Sequence, residues 1–316
     1  MTERIDEPRV SVLMCAYNAE RYVVETVRSV LAQTMREFEL VVVDDGSTDR
    51  TAELVESLAA GDERIRIISG PNVGIPKAAN LGLAACRSAL VARIDADDIA
   101  EPGRLAAQLA FMEANPGVVA AGSAVTFIDE AGRRLTINRP PREHAKIDDA
   151  LMRGHCAIWN TSSILRRDVF LELGGYGEHY RTAEDVDAWL RLAERGELAN
   201  LAEPLHRYRL HDGSISAADQ TSNRQFCRDA CEAAARRRGV PCRFEADEPW
   251  RPGTDRKSRR MFYTRYGWWA WRLGEKRTAA YYACRAIRSG PLATEPWVLL
   301  LKSVWPTGRG AEGSKS

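Results

Sequence analysis

Apolar and polar positions change their period repeatedly along the first part of the chain. Residues 10–15 form an apolar run rich in β-branched side chains, and residues 20–33 follow with helical spacing. The alternation repeats with a strand-like run at 40–43, a helix through Leu58, a strand at 65–68, a helix at 75–87 and a strand at 90–94. Short apolar runs predict strands, and i, i+3, i+4 spacing predicts helices. Strands alternating with helices predict an α/β fold on a mostly parallel sheet. Pro102 lies near the start of a helix running to about Glu113, before a turn at Asn115-Pro116-Gly117. Further on, 118–127 reads as a strand, 130–133 as a hairpin turn, 162–165 as a strand and 167–173 as a helix. Gly174-Gly175-Tyr176-Gly177 is expected to be flexible. The helix at 183–195 carries Val186, Trp189, Leu190 and Leu192 on one side, and 201–209 is the last predicted strand.

Beyond that point the pattern becomes helical. Residues 212–221 read as a linker or mobile loop. Helices are expected at 223–238, 256–273, 276–289 and 295–304, similar to tetratricopeptide-type hairpins but too few for a repeat array. The Gly/Ser/Lys-rich tail is expected to be disordered. The predicted division is an α/β domain at 1–220, a helical extension at 221–305 and a tail at 306–316.

With 316 residues, 45% of them hydrophobic, the chain can bury a sizeable core. Its net charge of +1 hides an asymmetry. Residues 1–220 carry 25 Lys and Arg against 35 Asp and Glu, while 221–316 carry 20 against 9. The basic segment suits an anionic membrane surface, an acidic partner, or its own acidic half. Seven scattered cysteines without a CxxC pair predict reduced, mostly buried thiols in a cytoplasmic protein. A zinc held by Cys227, Cys231 and Cys242 would lack a suitably spaced fourth ligand. Residues 1–9 have no signal-peptide core, and no apolar run reaches the length of a membrane span. A soluble or peripheral protein is therefore expected.

Candidate chemistry gathers at three acidic clusters. Asp44-Asp45-Gly46-Ser47-Thr48-Asp49 follows a buried strand, where open α/β sheets bind ligands. Asp95-Ala96-Asp97-Asp98 follows another. In extended backbone Asp95 and Asp97 point the same way, which suits a hard divalent cation completed by substrate phosphates. Glu184-Asp185 opens the helix containing Trp189. Such carboxylates can complement a helix dipole or serve as a general base.

Together these motifs, over roughly residues 9–216, resemble family 2 glycosyltransferases, inverting enzymes of the GT-A fold. The ordered parts are Val10-Ser11-Val12-Leu13-Met14-Cys15-Ala16-Tyr17-Asn18, Ser29-Val30-Leu31-Ala32-Gln33-Thr34, Val43-Asp44-Asp45-Gly46-Ser47-Thr48-Asp49, Asn72-Val73-Gly74-Ile75 with Ala78 and Asn80, Asp95-Ala96-Asp97, Glu184-Asp185, and Tyr208-Arg209-Leu210-His211 with Ser214 and Ser216. The resemblance implies that Tyr17 and the backbone of Cys15 and Ala16 frame a nucleotide base. Asp45 would hydrogen-bond that base, with Asp44 in support. Asp95, with Ala96 beside it, would reach the ribose or the metal shell. Asp97 would bind Mn²⁺ or Mg²⁺ at the donor diphosphate, with His211 approaching the metal or diphosphate. Asp185 would be the catalytic base and Glu184 would orient the acceptor or base. The implied donor is a nucleotide sugar, UDP first and GDP or dTDP next, and the acceptor a hydroxyl, such as that of a lipid-linked glycan.

Departures and rivals bound this reading. Asn160-Thr161-Ser162-Ser163 stands where the family often has His-Ser-Ser. The Gln-x-x-Arg-Trp motif of processive synthases is absent, so transfer of single residues in surface polysaccharide or glycolipid synthesis is expected. The glycine turn at 174–176 suits either an acceptor contact or a helix stop. Lys77 reads as a surface lysine before a phosphate ligand. No G-x-G-x-x-G or Walker A motif supports an oxidoreductase or a P-loop phosphotransferase. A phospho-accepting signalling domain would not need the second acidic motif. A sugar-nucleotidyltransferase or an inactive nucleotide-binding scaffold are the alternatives, and no nucleic-acid partner is expected. Tyr263, Tyr266, Trp268, Trp269 and Trp271, interleaved with Arg259, Arg260, Arg265 and Arg272, suit either a helix–helix core or a membrane interface.

Overall fold

The computed structural model describes residues 7–211, 220–246, 253 and 255–304. Four parallel strands form one side of a nine-stranded sheet: β1 (Val10–Ala16), β2 (Phe38–Asp44), β3 (Ile65–Ser69) and β4 (Leu90–Asp95). Five more strands follow in sequence: β5 (Ile99–Ala100), β6 (Val118–Asp129), β7 (Arg134–Asn138), β8 (Ile164–Arg166) and β9 (Glu197–Leu210). Their order is β3-β2-β1-β4-β8-β6-β9-β5, with β7 paired to β6. The pairings β4–β8, β6–β8 and β5–β9 are antiparallel.

Alternation along the parallel strands splits the core between two faces. Leu13, Val41 and Val43 pack with α3 (Ile75–Ala85). Val12, Met14, Leu40 and Val42 pack with α1 (Val23–Leu31), α2 (Thr51–Ala59) and α4 (Arg104–Ala114). Close approach of α3 depends on Gly82, where a Cβ would stand 2.2 Å from Leu13 Cδ1. Register brings the strand ends level: Ala16 lies beside Asp44, Cys15 beside Asp95, and Asp44 beside Ser69. Two of the three acidic clusters therefore share one edge.

The sequence pattern did not reveal α5 (His144–Met152), the short β5 or the 3₁₀ turn Asn160–Ser162. The glycine cluster is a helix stop rather than a flexible segment. After α6 (Arg167–Glu172), Gly174 N–H donates to Leu171 O and Gly175 N–H to Phe170 O, the paired bonds of a Schellman cap. Both glycines have positive φ, and a Cβ on Gly175 would meet Asn80 Oδ1 at 2.4 Å. Asn80 instead exchanges two hydrogen bonds with the Tyr176 backbone, at 2.8 and 2.9 Å.

Helix α7 (Glu184–Leu192) precedes β9, and α8 (Gln220–Arg238) comes after residues 212–219, so the expected linker lies almost wholly outside the described residues. The tail expected at 306–316 also lies outside them, as do Ser214 and Ser216. Two compact units divide the chain, one drawn from 1–127 and 137–248, the other from 128–136 and 249–316. This boundary differs from the division expected at residue 220, because α8 buries Ala230, Cys231, Ala234 and Ala235 in the first unit's core. Arg238 there reaches Asp148 at 2.8 Å and Leu190 O at 2.8 Å.

The second unit holds α9 (Arg256–Arg272), α10 (Lys276–Ser289) and α11 (Thr294–Val304). Phe262, Tyr266, Ala270, Ala279, Ala283 and Leu299 are buried. The Tyr266 ring meets those of Trp269 and Tyr282 at 5.5 and 5.6 Å. Phe262 and Tyr266 are thus used in helix–helix packing, with Trp268 and Trp271 partly buried against the same cluster. Seven free cysteines comprise two buried, two half-buried and three exposed, so the expectation of mostly buried thiols needs correction. No helix among the described residues is long and apolar enough to cross a membrane.

Candidate active site

The cleft edge is built from loops that leave β1, β2 and β4. After β1, Tyr17 is exposed and Asn18 has a φ of 49°. The Asn18 N–H donates to Ser47 Oγ at 3.0 Å, and its side chain accepts from the Thr48 N–H at 2.8 Å. These bonds lock the β1 loop to the β2 loop. Asp44 and Asp45 are both buried. Asp45 accepts from the Val73 and Gly74 N–H groups at 2.7 and 3.0 Å, and so fixes the loop before α3. Gly46 has a φ of +74°, and a Cβ there would lie 2.5 Å from the Asn72 nitrogen.

Asp95 to Asp98 form a loop held from every side. Its Asp95 N–H donates to Thr161 Oγ1 at 3.0 Å, and Thr26 Oγ1 donates to the carbonyls of Ala96 and Asp98 at 2.9 and 2.8 Å. Pairing of Ile99 with Arg207 and Ala100 with His206 sets β9 against the loop. Arg209 Nε then donates to Asp97 O, and His211 Nε2 lies 2.7 Å from Asp97 Oδ2. The structure therefore brings Asp97 and His211 together.

Underneath lies a polar network that sequence reasoning missed. Asp98, only 1% exposed, accepts from the Arg209 N–H and Thr161 Oγ1 at 2.7 Å each. His206 Nε2 is 3.0 Å from Asp98, and its Nδ1 is 3.0 Å from Arg104 Nη1. Because arginine can only donate, Nδ1 accepts and Nε2 carries the proton toward Asp98. Burial, followed by the Arg104 charge, drives His206 well below its ordinary pKa, which agrees with a neutral ring. Burial also lowers Arg104, to about 9. Burial, followed by the Asp97 charge, pushes the Asp98 carboxyl well above its ordinary value, against the donors Arg209 and Thr161. Available signals were the third carboxylate of the cluster and the Arg104–Gln108 spacing of one helical turn.

Arg93 is buried beneath Asp95 and Cys15, at 3.8 and 3.5 Å. Burial pushes Asp95 up to about 7 against the pull of Arg93, although 43% side-chain exposure tempers that effect. Burial raises the Cys15 thiol. Cys86, Cys227 and Cys231 are pushed to about 12, also by burial, which disfavours their thiolates.

The third cluster begins at Ala183, a non-glycine residue with φ 62° and ψ 18°, which turns the chain sharply into α7. Asp185 Oδ1 accepts the Val186 N–H at 2.8 Å. Burial raises both carboxyls, and the Asp185 charge helps to push Glu184 up to about 8. Lys77 is half exposed and 3.9 Å from Glu178, as a surface lysine would be.

Among the described residues no group of three or more His, Cys, Asp or Glu side chains forms a metal cage, and this includes the zinc arrangement considered above. Asp97 and His211 supply two donors. That is a fit for a divalent ion that keeps waters and binds substrate phosphate, not for one enclosed by protein.

This parallel sheet, with antiparallel strands crossing beyond it and acidic loops at its strand ends, is the GT-A architecture of glycosyltransferases. The chain belongs to glycosyl transferase family 2, whose family model matches residues 11–174. It is 36% identical to an uncharacterized glycosyltransferase of Haemophilus influenzae, over 66% of this chain and 68% of that one. It is 33% identical to the amylovoran biosynthesis glycosyltransferase AmsE of Erwinia amylovora, over 63% of this chain and 75% of the other. Similar folds are S. aureus TarS (residues 1–349) in complex with UDP-GlcNAc, with a TM-score of 0.58 and 16% identity, and the Pyrobaculum calidifontis mannosyltransferase PcManGT in complex with GDP-Man and Mn²⁺, with a TM-score of 0.57 and 18% identity. Each alignment covers 93% of this chain and 79% of the other.

Proposed function

We propose that this glycosyltransferase moves one sugar from a nucleotide-diphosphate sugar to an acceptor hydroxyl with inversion at the anomeric carbon. The observation that carries the reading is the meeting of Asp97 and His211 at one strand-end edge, beside loops locked by Asn18 and Asp45. Cys15, Ala16, Tyr17, Asp44 and Asp45 form the nucleotide side, and Asp95 with Ala96 the ribose side. UDP is the first choice of nucleotide, as in the TarS complex, with GDP next, as in the PcManGT complex.

Asp185 takes the acceptor proton as the hydroxyl oxygen bonds to the anomeric carbon. The bond from that carbon to the diphosphate oxygen breaks, and the nucleoside diphosphate leaves. Glu184 orients the acceptor or the base. A Mn²⁺ or Mg²⁺ ion held by Asp97 and His211 would supply Lewis-acid neutralisation of the diphosphate. Amylovoran biosynthesis in the AmsE relative supports a place in surface polysaccharide or glycolipid assembly. A lipid-linked acceptor would bring the basic C-terminal helices to a membrane.

The test is release of nucleoside diphosphate from UDP-, GDP- and dTDP-sugars with Mn²⁺ or Mg²⁺. Asp185→Asn is expected to lose roughly 10²–10⁴ in kcat, the usual share of a general base, while still binding donor. Full activity in that variant would remove Asp185 from the mechanism, and full activity in Asp97→Ala would remove the metal role.

A further inference from the structure

A groove of about 570 Å³ in the second unit is lined by Gly132, Arg133, Arg134, Glu275, Arg277, Thr278 and Tyr281. Three arginines line it with one carboxylate, Glu275, and Asp129 pairs with Arg133 from behind. Arg133 is held in place: its Nε donates to Asp129 Oδ2 at 2.6 Å, and its guanidinium lies 3.6 Å from the Tyr281 ring centroid. Asp129 is itself fixed by the N–H groups of Ala131 and Arg133 and by the Tyr282 hydroxyl at 2.9 Å. Arg134 is 3.6 Å from Glu275, a loose pair. Arg277 has no ionic partner among the described residues, and it is exposed.

A second feature points to a ligand. Thr278 is 5% exposed and lines the groove in the first turn of the fourteen-residue α10, yet its hydroxyl has no hydrogen-bond partner among the described residues. That hydroxyl is not among the fully enclosed unpartnered atoms, so its oxygen is open to the groove. The N-terminal turn of a helix favours an anion, and forked guanidinium groups match phosphate oxygens. The described residues of this unit, within 128–136 and 255–304, carry 13 Lys and Arg against 5 Asp and Glu, so the surrounding field has the same sign.

We infer that this groove is a second, phosphate-recognising site, separate from the sugar-transfer chemistry, in which Arg133, Arg134, Arg277 and Thr278 hold a phosphate or diphosphate group. Such a group is offered by a soluble phosphate ester or by an anionic lipid headgroup. Neither source depends on the transferase reading above.

Calorimetry with inorganic pyrophosphate on the full chain, in EDTA at low salt, tests the soluble source. Co-sedimentation with phosphatidic acid vesicles, against phosphatidylcholine vesicles, tests the lipid source. Arg134→Gln/Arg277→Gln, both exposed positions, is expected to weaken whichever binding occurs by at least tenfold with unchanged Tm and unchanged donor hydrolysis. Thr278→Val should weaken it about threefold, as loss of one hydrogen bond does. Binding of pyrophosphate assigns a soluble ligand, and binding of phosphatidic acid vesicles alone assigns a headgroup. No binding of either probe overturns the inference. So does binding that the double variant leaves unchanged.

Discussion

The buried Asp98 carboxyl meets a neutral imidazole, with Arg104 on its far side. All three side chains are at most 1% exposed, so none can recruit water if a partner is lost. Removing one member of such a buried set costs about 3–5 kcal/mol. Asp98→Ala is expected to lower stability by about that amount in urea unfolding and to weaken Mn²⁺–nucleotide binding, measured by electron paramagnetic resonance. Asp98→Ala with wild-type stability would show that the network carries little. The carboxyls at the start of α7 make a pH prediction. Burial, followed by the Asp185 charge, holds the proton on Glu184 to about pH 8, while Asp185 is raised less. Activity should rise with pH as Asp185 loses its proton and change again near pH 8, and Glu184→Gln should abolish the second change in the kcat/KM profile. The stability sign is opposite. A buried acid with a raised folded pKa favours the fold at pH below its unfolded value near 4 and loses that contribution as pH climbs through 8. Asp97, Asp185 and His211 could be picked out in the sequence because they stand within acidic and closing motifs. Asp98, His206 and Arg104 could not, since their role exists only once β9 lies beside the loop after β4.

Elements were legible where one face is apolar and the run is long. Strands β1 to β4 and the helices between them follow from period alone, because both sheet faces are covered. The two-residue β5 and the polar α5 carry no such signal, and the 3₁₀ turn at 160–162 is held by Ser163 Oγ donating to Asn160 O and by Thr161 Oγ1 accepting from the distant Asp95 N–H. Glycine signals were visible but ambiguous: the Gly174-Gly175 stop reads equally as flexibility until its two cap bonds are seen. Gly46 gives the element-scale prediction. Its positive φ and the 2.5 Å approach to Asn72 leave no room for a side chain. Gly46→Ala should cost at least the roughly 1–2 kcal/mol of a left-handed non-glycine residue. It should also raise the donor KM more than it lowers kcat, because it shifts the loop carrying Asp45. Unchanged KM and unchanged Tm would contradict this.

At the scale of the whole molecule, charge and apolar surface are distributed separately from the chemistry. The aromatic residues of α9 that read as a membrane interface are largely spent on packing. The apolar surface lies instead on and before α11, where Leu292, Trp297, Val298, Leu301 and Val304 are 97, 47, 44, 60 and 62% exposed. Trp297, Leu301 and Val304 recur at one helical face. The sequence could give the basic balance of this segment, but not which helix would turn its apolar side outward. If the acceptor is lipid-linked, this face meets a bilayer with help from the basic residues around it. Binding to vesicles containing phosphatidylglycerol should then fall as salt rises from 50 to about 300 mM, since the Debye length shrinks below 10 Å. Trp297→Glu/Leu301→Glu should abolish it at all salt concentrations, while the release of nucleoside diphosphate from a soluble donor stays unchanged. Vesicle binding that survives the double substitution would show that charge alone holds the protein at the membrane. Loss of donor hydrolysis together with binding would show that α11 supports the fold rather than a docking face.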